Sequence, residues 1–324
     1  MIKYVTDYTS QDTIQQIIDD YTNSIIEFLP EGKNNQAHKI KYHRNNVTLR
    51  GYGTRFRMND RSNLPNLLVR SEGEQPILNI KICGILFDGN RENQTDENAS
   101  IKNMTGIKNN NVECHNVRGL FIADCTMQSA RSGGLVLTNG CQNAMIISCK
   151  VRDAFYDGFA FAGHDTSNIR VENFVVSGCM RAGVSLDTGV NSVWFKGGQI
   201  SRCGHAGIFV RWCKYAWFVD IGVDSISKDW IGQDMSHAYG VYLHKWPLNE
   251  IREHHVKQNT WPDNISFSRM SIQNVRGVGI FKGCKEGHVS RSEKTVVFKD
   301  ISVRRTEGPI EIYDEGVLAQ ENIQ

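Results

Sequence analysis

An aspartate, an arginine and a histidine occupy equivalent places in three neighbouring repeats of the sequence. Asp187, Arg211 and His244 each stand four residues after the glycine of a short recurring apolar phrase. An anion, a fixed cation and a titratable imidazole are the groups that acid–base chemistry on a charged substrate requires. If the repeats stack in register, the three side chains form one column. The alternative is structural, because opposite charges on neighbouring strands stabilise a sheet by roughly 0.2–1 kcal/mol per pair.

A second polar set stands two residues before the recurring glycine in the same part of the chain. It consists of Tyr156, Arg181 and His205. A phenol, a guanidinium and an imidazole would serve as proton donor, anion binder and base. We expect the two sets to flank one strip of surface that suits an extended ligand. Residues predicted to contact that ligand as polar groups or flat rings are Asp157, His164, Asp165, Phe209, Trp212, Tyr242 and Trp246.

The recurring glycine defines a repeat. Gly134, Gly158, Gly183 and Gly207 follow one another at intervals of 24, 25 and 24 residues, and the phrase returns at Gly240 after 33. A unit this short cannot close a core of its own and must stack on its neighbours. The residues one and three places after each glycine are apolar, whereas those two and four places after it vary. This alternation predicts strands with an inward apolar face and an outward variable face.

A second pattern predicts how the strands are joined. Pairs of apolar residues five apart, such as Val171 and Val176, recur between the glycine phrases, and asparagines such as Asn168 stand three residues before them. Asparagine tolerates the left-handed backbone of a tight corner. We therefore predict an all-β fold, a right-handed parallel β-helix with turns of about 24 residues. A short helix at residues 9–22 is predicted to cover its first turn.

The coil divides the chain into three predicted regions. Residues 1–35 hold the capping helix and first strand, residues 36–315 the β-helix, and residues 316–324 a tail. Long loops on a regular scaffold are where binding often resides. Such insertions are predicted near residues 88–116, 225–238 and 245–262.

The composition limits the kinds of partner and the compartment that we expect for this protein. The formal net charge is only +2 and the basic residues are scattered, so we expect no nucleic-acid partner. Residues 1–18 lack the apolar core of a signal peptide, no stretch is a membrane span, and the nine cysteines form no Cys-x-x-Cys pair. These features predict synthesis in a cytoplasm, free thiols and no metal site. Calcium is not expected, because acidic loop residues are usually just solvated.

Three phrases in the first third of the chain, at residues 25–32, 46–54 and 79–90, resemble the opening turns of the pectate-lyase-like β-helix superfamily. The resemblance covers roughly residues 5–310. The superfamily includes pectate lyases, polygalacturonases, alginate lyases, alginate epimerases and phage tailspikes. The resemblance implies a polysaccharide or oligosaccharide substrate. Similarity to tailspikes further implies a phage-particle or non-classically released protein and a homotrimer.

Elimination on an acidic polysaccharide is the reaction that these residues favour. It requires a cation for the uronate carboxylate, a base for the proton on the adjacent carbon, and an acid for the leaving oxygen. Arg211 or Arg181 would bind the carboxylate. His244 or His205 would be the base, and Tyr156 the proton donor.

Three other functions remain open at this point. Inverting hydrolysis would pair Asp187 with Asp157 or Asp165, at a separation of about 6.5–9.5 Å between carboxyl groups. Uronate epimerisation is suggested because residues 156–159 with His164 are similar in composition, though not in order, to the motif of alginate epimerases. A spike protein that binds a glycan without turnover is the third.

Overall fold

Short parallel strands stacked turn upon turn form the framework of the protein in the computed structural model. The structure describes residues 2–5, 15–16, 19–20, 23–28, 35–37, 40–62, 64–71, 73–94, 109–211, 213–227, 238–244, 263–283, 296–312 and 318–323. The strands in these ranges are β1 (Ile2–Val5), β2 (Ile25–Phe28), β3 (Asn35–Ala37), β4 (Ile40–Tyr42), β5 (Thr48–Arg50), β6 (Arg55–Met58), β7 (Leu67–Arg70), β8 (Ile77–Cys83), β9 (Leu86–Asp88), β10 (Val112–His115), β11 (Val117–Ala123), β12 (Thr126–Gln128), β13 (Leu135–Thr138), β14 (Gln142–Ile147), β15 (Lys150–Arg152), β16 (Phe159–Ala162), β17 (Ser167–Glu172), β18 (Val175–Ser177), β19 (Ala182–Asp187), β20 (Val190–Ser201), β21 (Ala206–Val210), β22 (Cys213–Ile226), β23 (Ala238–His244), β24 (Asp263–Gly283), β25 (Val296–Ile312) and β26 (Leu318–Ile323). A 3₁₀ helix spans Arg91–Asn93.

Strands inside the stack pair in parallel with the equivalent strands of the turns before and after them. The glycine strand β13 pairs with β10 and β16, so that Leu135 lies between Val112 and Phe159. In the same way β14 pairs with β17, and β15 with β18. In later turns the second and third strands run together as β20 and β22. These pairings confirm the all-β coil of parallel strands predicted from the repeat.

The core is a stack of like side chains, one from each turn. The rings of Phe195, Phe218, Phe267 and Phe298 lie with successive centroids 5.3, 4.9 and 4.9 Å apart and planes within 10° of parallel. This spacing follows the separation of about 4.8 Å between neighbouring strands. Buried apolar surface of this kind is the main favourable term in folding. The predicted inward positions of the glycine strands are indeed buried, as at Phe159, Phe161, Val184 and Leu186.

Close approach between opposite walls of the coil explains the recurring glycine. A Cβ on Gly183 would lie 2.3 Å from Ile200 Cγ2 and 2.8 Å from the carbonyl oxygen of Gly207 in the next turn. Any side chain there would force the walls apart, which is costly in a close-packed interior. The equivalent contact, at 2.3 or 2.4 Å, arises at Gly134, Gly158, Gly207 and Gly240.

Asparagines build corners of the coil, as predicted. Asn46, Asn79, Asn168 and Asn264 have φ between 54° and 57°, which is left-handed backbone. Their amides form part of a ladder along the surface. The Asn79 Nδ2 donates to Asn46 Oδ1 at 2.8 Å, and Asn46 Nδ2 donates in turn to Asn23 Oδ1 at 2.9 Å. These corners are structural.

The ends of the coil differ in part from the prediction. The capping helix at residues 9–22 is not seen, because most of that stretch lies outside the described residues. The insertion at 245–262 and much of those near 88–116 and 225–238 also lie outside them. Residues 318–323 form β26, which pairs in parallel with β25, so the coil extends into the predicted tail. The eight cysteines in the described ranges are free thiols.

Candidate functional site

A cleft of about 350 Å³ lies on the outward face of the glycine strands. Its floor is made by small side chains of two successive turns, Val136 and Thr138 in β13 and Ala160 and Ala162 in β16. Larger polar residues of the turns above and below rise at either end of this floor. The residues that line the cleft are Asn110, Glu113, Ser132, Gly133, Val136, Thr138, Tyr156, Asp157, Ala160, Phe161, Ala162, Arg181, Ser185, Asp187 and Arg211.

The predicted column exists in the structure. Leu186 pairs with Val210, and Val210 with Leu243, so that Asp187, Arg211 and His244 follow at the same place in three successive turns. Asp187 and Arg211 line the cleft, whereas His244 lies one turn beyond it. Stacking in register therefore brings together residues that are 24 and 33 positions apart in the chain.

Asp187 and Arg211 form a two-pronged ion pair at the edge of the cleft. Arg211 Nε donates to Asp187 Oδ1 at 2.8 Å, and Arg211 Nη2 donates to the other carboxylate oxygen. The backbone N–H of Thr188 adds a third hydrogen bond to Oδ1 at 2.7 Å. Burial alone would raise the pKa of Asp187, but the charge and hydrogen bonds of Arg211 outweigh it and lower the pKa below its ordinary value. Asp187 is therefore an anion at neutral pH.

A second ion pair is buried in the wall of the cleft, and both of its residues are among those that line it. Arg181 Nε donates to Asp157 Oδ1 at 2.8 Å and its Nη2 donates to Oδ2, with side-chain exposures of 4% and 2%. The same guanidinium donates to the Tyr156 hydroxyl at 2.8 Å and to Ser185 Oγ at 3.0 Å. The backbone N–H of Ala182 completes the shell of Asp157. One arginine thus links a carboxylate, a phenol and an alcohol from two turns.

Burial controls the protonation of this network. It raises the pKa of Tyr156 to about 12, although the adjacent Arg181 acts in the opposite direction. Burial also raises the pKa of Asp157 above its ordinary value, with Arg181 again opposing the shift. Tyr156 is protonated at neutral pH, as an ordinary tyrosine also is, and the raised pKa extends this state to more alkaline solution. Its hydroxyl is held in place by Arg181 and carries a proton that can be given to a bound molecule.

The two histidines of the predicted sets occupy different surroundings. His244 Nδ1 lies 2.6 Å from the Tyr242 hydroxyl, and burial together with the positive charge of Arg211 lowers the pKa of His244 to about 3. Its imidazole is neutral at neutral pH. His205 is only 1% exposed, and its ring packs edge-on against Phe209 and Tyr239. His205 is therefore enclosed by aromatic rings, whereas the prediction placed it beside the ligand on the surface.

Two more predicted contact residues are enclosed. Phe209 is fully buried beneath Tyr242, with ring centroids 5.2 Å apart, so it offers no flat face to a ligand. Asp157 is among the residues that line the cleft, but it is only 1% exposed and both of its carboxylate oxygens accept from Arg181. The outward position predicted for Phe209 is correct, but neighbouring rings cover it.

The remaining predicted residues fall away from the cleft or outside the described ranges. His164 and Asp165 follow the end of β16 and do not line the cleft. His164 packs over Gly189, where a Cβ would meet its ring. Tyr242 lies one turn beyond the cleft, beside His244. Trp212 and Trp246 lie outside the described residues.

Glu113 is a cleft residue that the glycine alignment missed. Its carboxylate contacts His115 Nε2 through one oxygen and accepts from Asn110 Nδ2 at 2.8 Å through the other. Asn110 Oδ1 in turn accepts from the Gly133 N–H at 2.7 Å, which sets the orientation of the amide. The β10 phrase has Asn111 where other turns have glycine, so alignment on glycine passes over it. Its alternation of Val112 and Cys114 inward with Glu113 outward was the available signal.

The pKa of His244 predicts how stability depends on pH. The unfolded chain takes up a proton at this histidine near pH 6.5, whereas the folded protein does so only near pH 3. The stability that accompanies the neutral imidazole is therefore present above pH 6.5 and is lost as the pH falls from 6.5 towards 3. The free energy of unfolding is measured with urea at pH 7.5 and at pH 4.5. Its decrease between these two pH values is expected to be smaller for His244→Gln than for the wild type. Equal losses would contradict this assignment.

Two structural findings bear on partners. Within the described ranges, no group of three or more His, Cys, Asp or Glu side chains is arranged to hold a metal ion. Among the helical residues that the structure describes, no helix is long and apolar enough to cross a membrane.

The stacked strands and the polar cleft on their outer face define a parallel β-helix protein. The chain belongs to the family described as the right handed beta helix region, whose model matches residues 74–220 and 134–293. This match confirms the handedness predicted from the sequence. No match to the sequence was found among curated proteins.

Solved structures with the same fold come from phages and from carbohydrate enzymes. The N-terminal fragment of gene product 12 of bacteriophage Phi29 is similar at 14% identity and TM-score 0.57, over 99% of this chain and 64% of that one. ORF18 of Geobacillus virus E2 is similar at 12% identity and TM-score 0.57, over 97% of this chain and 59% of that one. The A-module of the Azotobacter vinelandii mannuronan C-5 epimerase AlgE4 is similar at 14% identity and TM-score 0.51, over 99% of this chain and 97% of that one. The chain thus spans about three fifths of the two phage proteins, and these likenesses show the fold.

Proposed function

We propose that the protein cleaves an extended acidic polysaccharide by β-elimination in the cleft. The observation that carries this proposal is the protonated Tyr156 hydroxyl, which Arg181 holds at the cleft beside the Asp187–Arg211 pair. A phenol is protonated at neutral pH, and one held at the cleft can give its proton to a leaving oxygen. A guanidinium fixed by a carboxylate is a pre-oriented partner for a uronate carboxylate.

The reaction can be written with each proton placed. Arg211 contacts the uronate carboxylate and stabilises the negative charge that develops when the proton on C-5 is removed. The neutral imidazole of His244, one turn beyond Arg211, accepts that proton. The bond from C-4 to the leaving oxygen breaks, a double bond forms between C-4 and C-5, and Tyr156 gives its proton to the leaving oxygen. An anionic substrate beside His244 raises the pKa of the imidazole, which makes it a stronger base when the cleft is filled.

Support for an acidic substrate also comes from the fold comparison. The epimerase module is named for action on mannuronan at C-5, and elimination begins with loss of a proton from that same carbon. The inverting hydrolase is less well supported, because Asp157 is enclosed with Arg181 and Asp165 does not line the cleft.

A non-catalytic glycan-binding protein is the second candidate. It is favoured by the two closed ion pairs, since Arg181 and Arg211 are each already engaged by a carboxylate through two hydrogen bonds. The similarity to two phage proteins is in keeping with a part of a phage particle that attaches to a glycan.

A panel of polysaccharides tests the proposal. Alginate, polygalacturonate, dextran and xylan are incubated with the protein, and new reducing ends are measured together with ultraviolet absorbance of unsaturated sugars. We expect both signals on a uronate-containing polymer. Reducing ends without absorbance would replace elimination by hydrolysis, and the absence of both signals on every polymer would favour the binding protein.

A further inference from the structure

A strip of exposed and half-buried aromatic side chains lies on the second strand of the coil, away from the glycine strands that form the cleft. Trp194 in β20 and Trp217 in β22 pair in register in neighbouring turns, with ring centroids 5.8 Å apart and planes inclined by 32°. Tyr215 stands two residues before Trp217. Trp194 is 41% exposed and Tyr215 is 46% exposed. These three residues are called the aromatic strip below.

Tyr215 occupies a backbone position that is unfavourable for an aromatic residue. Its φ is 55°, in the left-handed region. This region is uncommon for residues other than glycine and is an outlier for bulky ones, whereas asparagine is enriched there. Burial in the core does not account for the tyrosine, because nearly half of its surface is exposed. The equivalent corners of neighbouring turns carry Asn143, Asn168, Ser192 and Asn264.

Two ion pairs lie in or next to the turns that carry the aromatic strip. Arg170, in the same column one turn before Trp194, has its guanidinium 5.9 Å from the indole centroid and pairs with Glu172. Its side chain is 51% exposed. Further along the turn, Arg269 and Asp220 form another ion pair, with exposures of 57% and 40%. The strip is therefore a set of rings with charged groups nearby, since Arg170 lies beside Trp194 and Asp220 stands three residues after Trp217.

This combination suits a sugar better than a second protein chain. A stable protein interface buries about 800 Å² per partner, and charged residues are depleted from its centre. Three rings bordered by exposed ion pairs are a smaller and more polar surface. Rings of this kind pack against the apolar face of a sugar, while the charged groups beside them can bond to its hydroxyls.

We propose that the aromatic strip binds a polysaccharide chain that runs along the axis of the coil, at a site separate from the cleft. Trp194 and Trp217 recur at the strand spacing of about 4.8 Å, so consecutive turns present one ring surface each to an extended polymer. Tyr215, at the corner two residues before Trp217, adds a further exposed ring. The strip anchors the polymer whether or not a reaction takes place in the cleft, so the inference goes beyond the proposed elimination.

Affinity electrophoresis through native gels that contain alginate, polygalacturonate, dextran or xylan tests the strip directly. Mobility is measured as a function of polymer concentration to give a dissociation constant. We expect at least one polymer to retard the wild type, and Trp194→Ala and Tyr215→Asn each to weaken that binding at least tenfold. Tyr52→Asn is the matched control, because Tyr52 is a 56% exposed tyrosine in an early turn of the coil.

Thermal unfolding of Tyr215→Asn separates a binding role from a structural one. Asparagine suits the left-handed corner, so this variant is expected to unfold at a higher temperature than the wild type while binding more weakly. Tyr156→Phe is expected to lower the rate of cleavage without changing retardation by the strip, which keeps this proposal distinct from the elimination.

Three outcomes would overturn the inference. One is a lack of retardation by all four polymers, and another is equal retardation of the wild type and both strip variants. The third is a dimer in sedimentation velocity that Trp194→Ala dissociates, because the strip would then be an interface between two copies of the chain.

Discussion

Replacement of Arg181 by alanine is expected to lower the free energy of unfolding by about 3–5 kcal/mol. The guanidinium is 4% exposed and satisfies the Asp157 carboxylate, the Tyr156 hydroxyl and Ser185 Oγ together. Its removal leaves a carboxylate enclosed without its counter-charge, and the cost of burying an uncompensated ion is large. Urea unfolding at pH 7.5 measures the loss from the shift in midpoint.

An exposed ion pair provides the control for this prediction. Arg269→Ala removes a similar two-pronged contact with Asp220, but both side chains are solvated, and the free energy of unfolding is expected to change little. A double variant, Arg181→Met with Asp157→Leu, should have a much smaller decrease in the free energy of unfolding than Arg181→Ala, because it leaves no buried charge behind. The interpretation would be wrong if Arg181→Ala lowered the free energy of unfolding no more than Arg269→Ala does.

Tyr156→Phe is expected to lower the rate of cleavage by about 100-fold or more, the usual scale for loss of a positioned proton donor. The substitution removes one oxygen atom and keeps the ring, over which the Arg181 guanidinium lies 3.9 Å from the centroid. The folded state should therefore persist, with the loss of one hydrogen bond from Arg181. The rate is measured at saturating concentration of the polymer that the wild type cleaves.

A tyrosine away from the cleft tests whether the effect is specific. Tyr52→Phe removes an exposed hydroxyl in an early turn and is expected to leave the rate unchanged. Arg211→Ala should lower the rate by a similar factor to Tyr156→Phe, because the substrate carboxylate would lose its partner. Cleavage by Tyr156→Phe at the wild-type rate would remove Tyr156 from the reaction and leave elimination without its acid.

Regular alternation explains why much of the site could be predicted. Within a glycine strand, successive side chains point to opposite faces, so Asp187 and Arg211 had to point outward once Val184, Leu186 and Ile208 were assigned inward. Parallel pairing with one turn per repeat then brings them together. The same reasoning applied to Val112 and Cys114 would have found Glu113, but that turn has no glycine to mark it.

Corner residues behaved differently, because no simple period governs them. Tyr156, Arg181 and His205 precede the glycine, where the direction of each side chain depends on the dihedral angles of the corner. Arg181 lies in the cleft wall and is held by Asp157, and His205 is enclosed by rings from neighbouring turns. Their equivalent places in the repeat suggested equivalent roles, but their exposures depend on what packs over them.

The amino-acid sequence by itself determined the coil, its glycine spacing, its left-handed asparagine corners and the outward column of Asp187, Arg211 and His244. These are consequences of local geometry. Side chains alternate between two faces along each strand, and equivalent strands stack once per turn, so the position of every residue in a regular repeat follows from the sequence. Only the tertiary structure decided which outward residues stay accessible. Burial depends on contacts between turns that are distant in the chain, and such contacts covered Phe209, closed Asp157 onto Arg181 and left Trp194 exposed.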